Sequence, residues 1–279
     1  ACKLLGDPNK FIFLHPAFPD QSARIDLLRN YNRVTEIASR LAALIPSEAG
    51  ADPFKSFGWQ ALNNISQALV MAHKKPSITL LKRFLESGPQ QMVVQAITSY
   101  ADRHIEGGRE LANEYLDRIK SGSKEPTDDQ KARAIAGFYK DVVQPIAPSP
   151  ELEALISMNH HDKTHFSKMV ANLLPIMNML TAGDLGKMLS PDYSDTSDTR
   201  LITDTRKIID NNQVVYIGLD SLTDSIVGSA FGSVVLSDIV AVAGDRYNYG
   251  KDNRPVNIFV DEASEVINEP TIQLLNKGR

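Results

Sequence analysis

The 279 residues are enough to bury a sizeable core and hold one large domain or a domain with an insertion. Apolar residues make up 42% and charged residues 23%, which excludes a disordered chain, and the net charge of -4 gives no basic footprint of the kind nucleic-acid binders often carry. One cysteine, Cys2, rules out an internal disulfide and points to a reducing, cytoplasmic setting.

In chain order, Phe11 to His15 is a short apolar run closed by Pro16 and Pro19, and it reads as a strand followed by a forced loop. Asn32 is the expected cap of a helix reaching Ile45. Along it Ile37, Leu41, Leu44 and Ile45 recur at helical spacing until Pro46 stops it. A second helix is expected from about Phe57 to His73, and its Phe57 and Trp59 read as core rather than as a base-stacking platform. From Pro76 the pattern becomes helical throughout: Ser77 to Glu86, Pro89 to Arg103, Arg109 to Lys120, Thr127 to Val143 and Asp162 to Leu180. Thr127 is the expected cap of the fourth of these, with Asp128 and Asp129 in the first turn where the helix dipole favours acids. Joints fall at Ser121 to Pro126 and Pro145 to Pro150, so residues 74–190 read as an all-α bundle. His161 and His165 sit one helical turn apart, as metal ligands can, but no third ligand is evident beside them and a capped helix start explains the same residues. Asp192 to Thr199 reads as a solvated loop leaving the bundle.

Strand signals return at Gln213 to Leu219 and again at Val256 to Val260, both apolar enough to be covered on two faces. The helix between them, Asp224 to Arg246, contains the most membrane-like stretch, Ile226 to Ala243. Asp238 in its middle makes a buried helix beside a sheet the better reading. The chain also starts without a charged and apolar leader, so no signal peptide is expected. Strand, helix and strand form a crossover unit of a parallel sheet. The expected class is therefore α/β, interrupted by the helical block.

The chemistry is expected at the end of the second returning strand, in Val256-Asn257-Ile258-Phe259-Val260-Asp261-Glu262-Ala263. In a Walker B strand an aspartate at the carboxyl end holds the magnesium of a nucleoside triphosphate, which here would be Asp261. The adjoining Glu262 can then orient or deprotonate the attacking water. A strand that ends in two solvated acids fits the same residues, so the motif alone leaves both readings open. The phosphate-cradling pattern G-x-x-x-x-G-K-[ST] occurs nowhere in the chain. Gly250-Lys251 is followed by Asp252 instead of a hydroxyl, and Gly183, Gly186 and Lys187 are too closely spaced. The cradle is therefore expected before Ala1, and this chain alone is expected to lack ATPase activity.

Val256 to Arg279, VNIFVDEASEVINEPTIQLLNKGR, closely resembles the Walker B region of TraD-type (SXT/TOL-like) conjugative coupling proteins, which are FtsK/HerA-related motor ATPases. RIDLLRNYNRVTEIASRLAALIPSE with DPFKSFGWQALNNISQALV, and HHDKTHFSKMVANLLPIMNML, are similar to two further stretches of that family, so the resemblance spans most of the chain. It implies a RecA-like, mostly parallel sheet, present here in part, with a large inserted all-α domain. Residues 1–73 and 191–279 would be the two parts of the nucleotide-binding domain and 74–190 the insertion. It further implies ATP and Mg2+ as cofactors and Asp261 and Glu262 as the Walker B acids. Arg279 matches the arginine of the family's K-G-R segment, a candidate finger toward a neighbouring subunit's nucleotide. A cation favoured by the helix dipole beside Gly278 describes Arg279 equally well. The implied partners are single-stranded DNA, relaxosome proteins and the ATPases of a type IV secretion channel, with a homo-hexamer at the cytoplasmic face of the inner membrane. An adaptor role for the helical block, recognising relaxosome proteins without catalysis, is the alternative.

Overall fold

The computed structural model describes residues 6–45, 52–120, 125–161, 163–250, 254–267, 271–272 and 275–276. The chain is mixed, 61% helical with only short parallel strands. It divides into two compact units, one formed by Ala1–Lys55, Ser77–Thr79 and Asn172–Arg279 and the other by Ser56–Pro76 and Leu80–Ala171.

The first unit contains strands β1 (Phe11–Leu14), β2 (Arg24–Ile25), β3 (Ile202–Thr203) and β4 (Val214–Ile217). β1 pairs parallel with β4, Phe11 opposite Val214 and Leu14 opposite Ile217, and β2 pairs parallel with β3. Helix α1 (Thr35–Ala42) follows β2. The helical unit then runs through α2 (Pro53–Met71), α3 (Ile78–Ser87), α4 (Gln90–His104), α5 (Gly108–Arg118), α6 (Asp128–Phe138), α7 (Pro150–His160) and α8 (Lys163–Met169). The chain returns to the first unit with α9 (Leu174–Leu180), α10 (Gly183–Leu189), α11 (Thr205–Asp210) and α12 (Ser225–Tyr249).

Local chemistry explains most of the helix ends. Thr127 caps α6 as expected, and Gln130 completes a reciprocal capping box with it. Ser149 accepts from Leu152 N at 3.4 Å and Pro150 fills the first position of α7, where its missing N–H costs nothing. Asp224 caps α12 by accepting from Val227 N, and Gly250 closes it with φ +58. The glycine of the Gly250-Lys251 pair is thus a helix terminator. In the helical unit the core is built on fully buried Leu62, Ile65, Phe84, Val93, Ile97 and Phe138, each contributing roughly 1.5–3 kcal/mol by leaving water.

The first unit is organised around α12, whose residues from Gly228 to Asp238 are almost all buried. Among the described residues α12 is the helix long and apolar enough to cross a membrane. It is apolar around its circumference because it is a core helix, and Phe231 and Val234 lie fully inside. Asp238, with no exposure, forms a 2.7 Å ion pair with Arg40 of α1. Arg40 also donates to Leu27 O at 2.7 Å and to Asn30 O, and Asp238 accepts from Thr205 Oγ1 at 2.5 Å. Burial pushes the Asp238 carboxyl upward, and the charge of Arg40 and the hydroxyl of Thr205 act in the opposite direction.

Several expectations are corrected. Val256–Val260 is not a strand: among the described residues it has no ladder partner, and Phe259 is 94% exposed. An apolar run becomes a strand only where a neighbouring backbone satisfies its N–H and C=O groups. β4 is present as expected, yet Val214 and Tyr216 are exposed rather than covered. Asn32 does not cap α1, which begins three residues later. Its side chain instead donates to Asp245, while Glu36 accepts from the backbone N–H groups of Asn32 and Arg33. The stretch 162–180 is two helices, because Pro175 lacks an N–H and clashes with the preceding turn. The compact units divide at 55/56 and 171/172, with Ser77–Thr79 also in the first, so α2 lies almost wholly in the helical unit.

Asp238→Ala strands a buried guanidinium and is expected to destabilise the protein by about 3–5 kcal/mol in urea unfolding. Breaking the exposed Asp102–Arg109 pair by Asp102→Ala is expected to cost under about 1 kcal/mol. Equal losses from the two substitutions would contradict the role given to Asp238.

Candidate functional site

Asp261 and Glu262 lie together in a turn that follows the extended, exposed run 254–260. Both side chains face solvent, and among the described residues neither has an ion-pair partner. Glu262 takes a left-handed backbone, φ +50, which is uncommon for a residue with a side chain. Its N–H donates to Asp261 Oδ1 at 3.0 Å, so the two residues are tied to each other. Its carbonyl accepts from Glu265 N at 2.9 Å, opening the short 3-10 turn Ala263–Glu265. Two adjacent carboxylates suit Mg2+, which prefers oxygen ligands and commonly takes one or two carboxylates together with substrate phosphates. Among the described residues no group of three His, Cys, Asp or Glu side chains forms a metal site of its own, so the phosphates would have to complete the coordination. Arg279 lies outside the described residues.

A denser polar cluster sits at the carboxyl ends of β2 and β3, where sequence reasoning placed nothing. Asp26 follows β2 directly and Asp204 follows β3. Asp26 accepts from Tyr193 O–H at 2.8 Å, and Tyr193 accepts from Arg29 Nη1 at 3.0 Å. Arg29 Nε is 3.3 Å from Asp204, which also caps α11 by accepting from Lys207 N. Burial raises the Asp26 carboxyl, with the Tyr193 hydrogen bond opposing, and burial pushes the Tyr193 phenol up to about 12. The expected solvated loop at 192–199 is therefore anchored at Tyr193. Its neighbours Asp192 and Asp195 accept from Ser194 and Ser197 as short turns do. The available signal is a two-residue strand followed directly by an aspartate, Arg24-Ile25-Asp26 and again Ile202-Thr203-Asp204, too short to stand out.

The loop ends in a clamp. Arg200 grips Asp198 with two parallel bonds, Nε to Oδ1 at 2.9 Å and Nη2 to Oδ2 at 2.6 Å, and its Nη1 donates to Pro19 O. Arg24 of β2 donates to Asp198 O at 2.7 Å. The network is paired throughout and offers no free charge to a ligand, so it reads as structural.

In the helical unit, a cavity of about 60 Å³ lies between α2 and α7, lined by Phe57, Asn64, Ser157, Met158 and His161 among others. It is far below the roughly 300–1,000 Å³ of small-molecule sites. The His161 ring stands edge-on to Phe57, which also meets Phe166, so Phe57 packs inside the unit rather than presenting a stacking face.

No protein-family model, no curated protein and no solved structure matches the chain.

Hydrogen bonds from Arg200 hold the Asp198 carboxyl well below the usual carboxylate range, with the charges of Arg200 and Arg24 adding to the effect. A carboxylate depressed by folding adds stability that is complete above its unfolded value, 3.8, and is lost progressively as pH falls from there through the lower folded value. Asp198→Asn is therefore expected to lower the thermal midpoint at pH 6 and to lower it by less at pH 2. An equal deficit at both pH values would show that the clamp does not act through this charge.

Proposed function

We propose that this chain is part of the motor domain of a conjugative coupling protein, which links a relaxosome to a type IV secretion channel and uses ATP to move single-stranded DNA. The observation that carries the reading is the acidic pair Asp261-Glu262 at the end of the apolar run Val256–Val260. In chain order the pair follows β4 and the long buried helix α12. The extended resemblance around these residues supports it, and so does the left-handed backbone of Glu262, since strained residues gather at catalytic turns. In this reading the first unit belongs to a RecA-like nucleotide-binding domain, the helical unit is its insertion, and six copies form the motor.

Bound Mg2+ would neutralise charge on the transferring phosphoryl group. Asp261 would hold the metal through a carboxylate oxygen. Glu262, a step further along the turn, accepts a proton from the attacking water. The pattern G-x-x-x-x-G-K-[ST] does not occur within these 279 residues, so this reading assigns the phosphate cradle to none of them. A second, compatible role for the helical unit, which is compact and has its own core, is recognition of relaxosome proteins without ATP.

In the natural protein that carries this chain, Glu262→Gln is expected to lower ATP turnover by about 10²–10⁴-fold, the usual contribution of a general base, while leaving ATP affinity within about twofold. Phosphate release and calorimetric titration measure the two quantities. Turnover retained in that variant would remove Glu262 from the mechanism.

A further inference from the structure

The turn that carries the acidic pair is seated on one face of α12. Val266, four residues beyond Glu262, is 2% exposed although the residues before it face solvent. It rests against Gly232, where a Cβ would lie only 2.5 Å from Val266 Cγ1 and 3.0 Å from Leu219 Cδ1. One turn earlier, a Cβ on Gly228 would lie 3.0 Å from Leu219 O. Glycine is thus needed at position 232 for space rather than for a special φ. Two hydroxyls on the same helix fasten the backbone of the turn: Ser233 Oγ donates to Val266 O at 3.2 Å, and Ser229 Oγ donates to Glu265 O. From there the chain of contacts runs directly to the acids. Val266 N and Ile267 N donate to Ala263 O at 3.2 and 3.0 Å, and Glu265 N donates to Glu262 O.

We infer that Gly232, with Ser229 and Ser233, is the positioning element for Asp261 and Glu262, acting through Val266 and the 262–266 turn. None of the three touches the nucleotide or metal in the proposed reaction, on which the functional meaning of this inference rests. Their part is to hold an otherwise solvent-facing turn at one height along α12. A side chain lifting Val266 by about an ångström would move both carboxylates together, and misplacements of that size can cost roughly 10²-fold in rate.

The test uses this chain and two readouts. Hydrogen exchange of the Glu265, Val266 and Ile267 amides reports how firmly the turn is seated. Gly232→Ala is expected to speed their exchange by about tenfold, equivalent to ~1.4 kcal/mol of local opening. Ser233→Ala, which adds no volume, is expected to act in the same direction. Adding Val266→Ala to Gly232→Ala is expected to restore slow exchange by making room for the new methyl group. Acceleration spread evenly over the first unit, or no acceleration in either single variant, would overturn the inference. The second readout is broadening of the Asp261 and Glu262 resonances by Mn2+ alone. Broadening that weakens in Gly232→Ala and returns with Val266→Ala supports positioning, and broadening indifferent to both substitutions overturns it. Its absence in the unaltered chain would contradict the metal-binding reading itself, and the exchange result alone would then decide the seating of the turn.

Discussion

Arg40 and Asp238 lie 2.7 Å apart with side chains 3% and 0% exposed, and neither could remain charged there without the other. The pair joins residues 198 positions apart in sequence. The other donors of Arg40 close the loop after β2 onto Leu27 O and Asn30 O, and Thr205 brings the start of α11 to the same carboxylate. One buried ion pair therefore fixes the mutual position of α1, α11, α12 and the β2–α1 connection. A hydrophobic pair of similar volume could supply comparable stability, but it would not dictate which backbone carbonyls come together. Directionality is what this arrangement adds to the core.

With α12 fixed, both of its ends and one of its faces become reference points. Asp245 near its carboxyl end holds Asn32 and Arg206, and Arg246 donates to Arg254 O just before the exposed run 256–260. Its glycine and serine face receives Leu219 after β4 and Val266 after the acidic turn. Two segments that follow apolar runs thus land on the same helix face. The acids take their position from this face, since the run preceding them has no sheet partner among the described residues. Exposed Val256, Ile258, Phe259 and Val260 remain as a contiguous apolar stretch beside them.

The sequence was most legible where local chemistry dominates. Thr127 as a helix cap acts through neighbours a few residues away, and it appears as expected. α7 is hidden in the sequence although Ser149-Pro150 is a helix start, because the prolines around it read as a joint. Val256–Val260 shows the opposite error. Its β-branched and aromatic composition favours a strand, but pairing depends on a partner backbone, which composition does not contain. The polar cluster of Asp26, Arg29, Tyr193 and Asp204 was illegible for a related reason: its members come from segments more than 160 residues apart and meet only through the tertiary fold. The acids of the candidate site were visible as a motif. What holds them, a glycine on a distant helix, was not.

The most direct test is ATP-driven displacement of streptavidin from biotinylated single-stranded DNA by the natural protein that carries this chain. The expected result is displacement that requires ATP and Mg2+, proceeds from one end of the strand, and disappears in Asp261→Asn. A protein that binds the strand and hydrolyses ATP yet never displaces streptavidin, or an Asp261→Asn variant that displaces it as fast as the unaltered protein, would contradict the account.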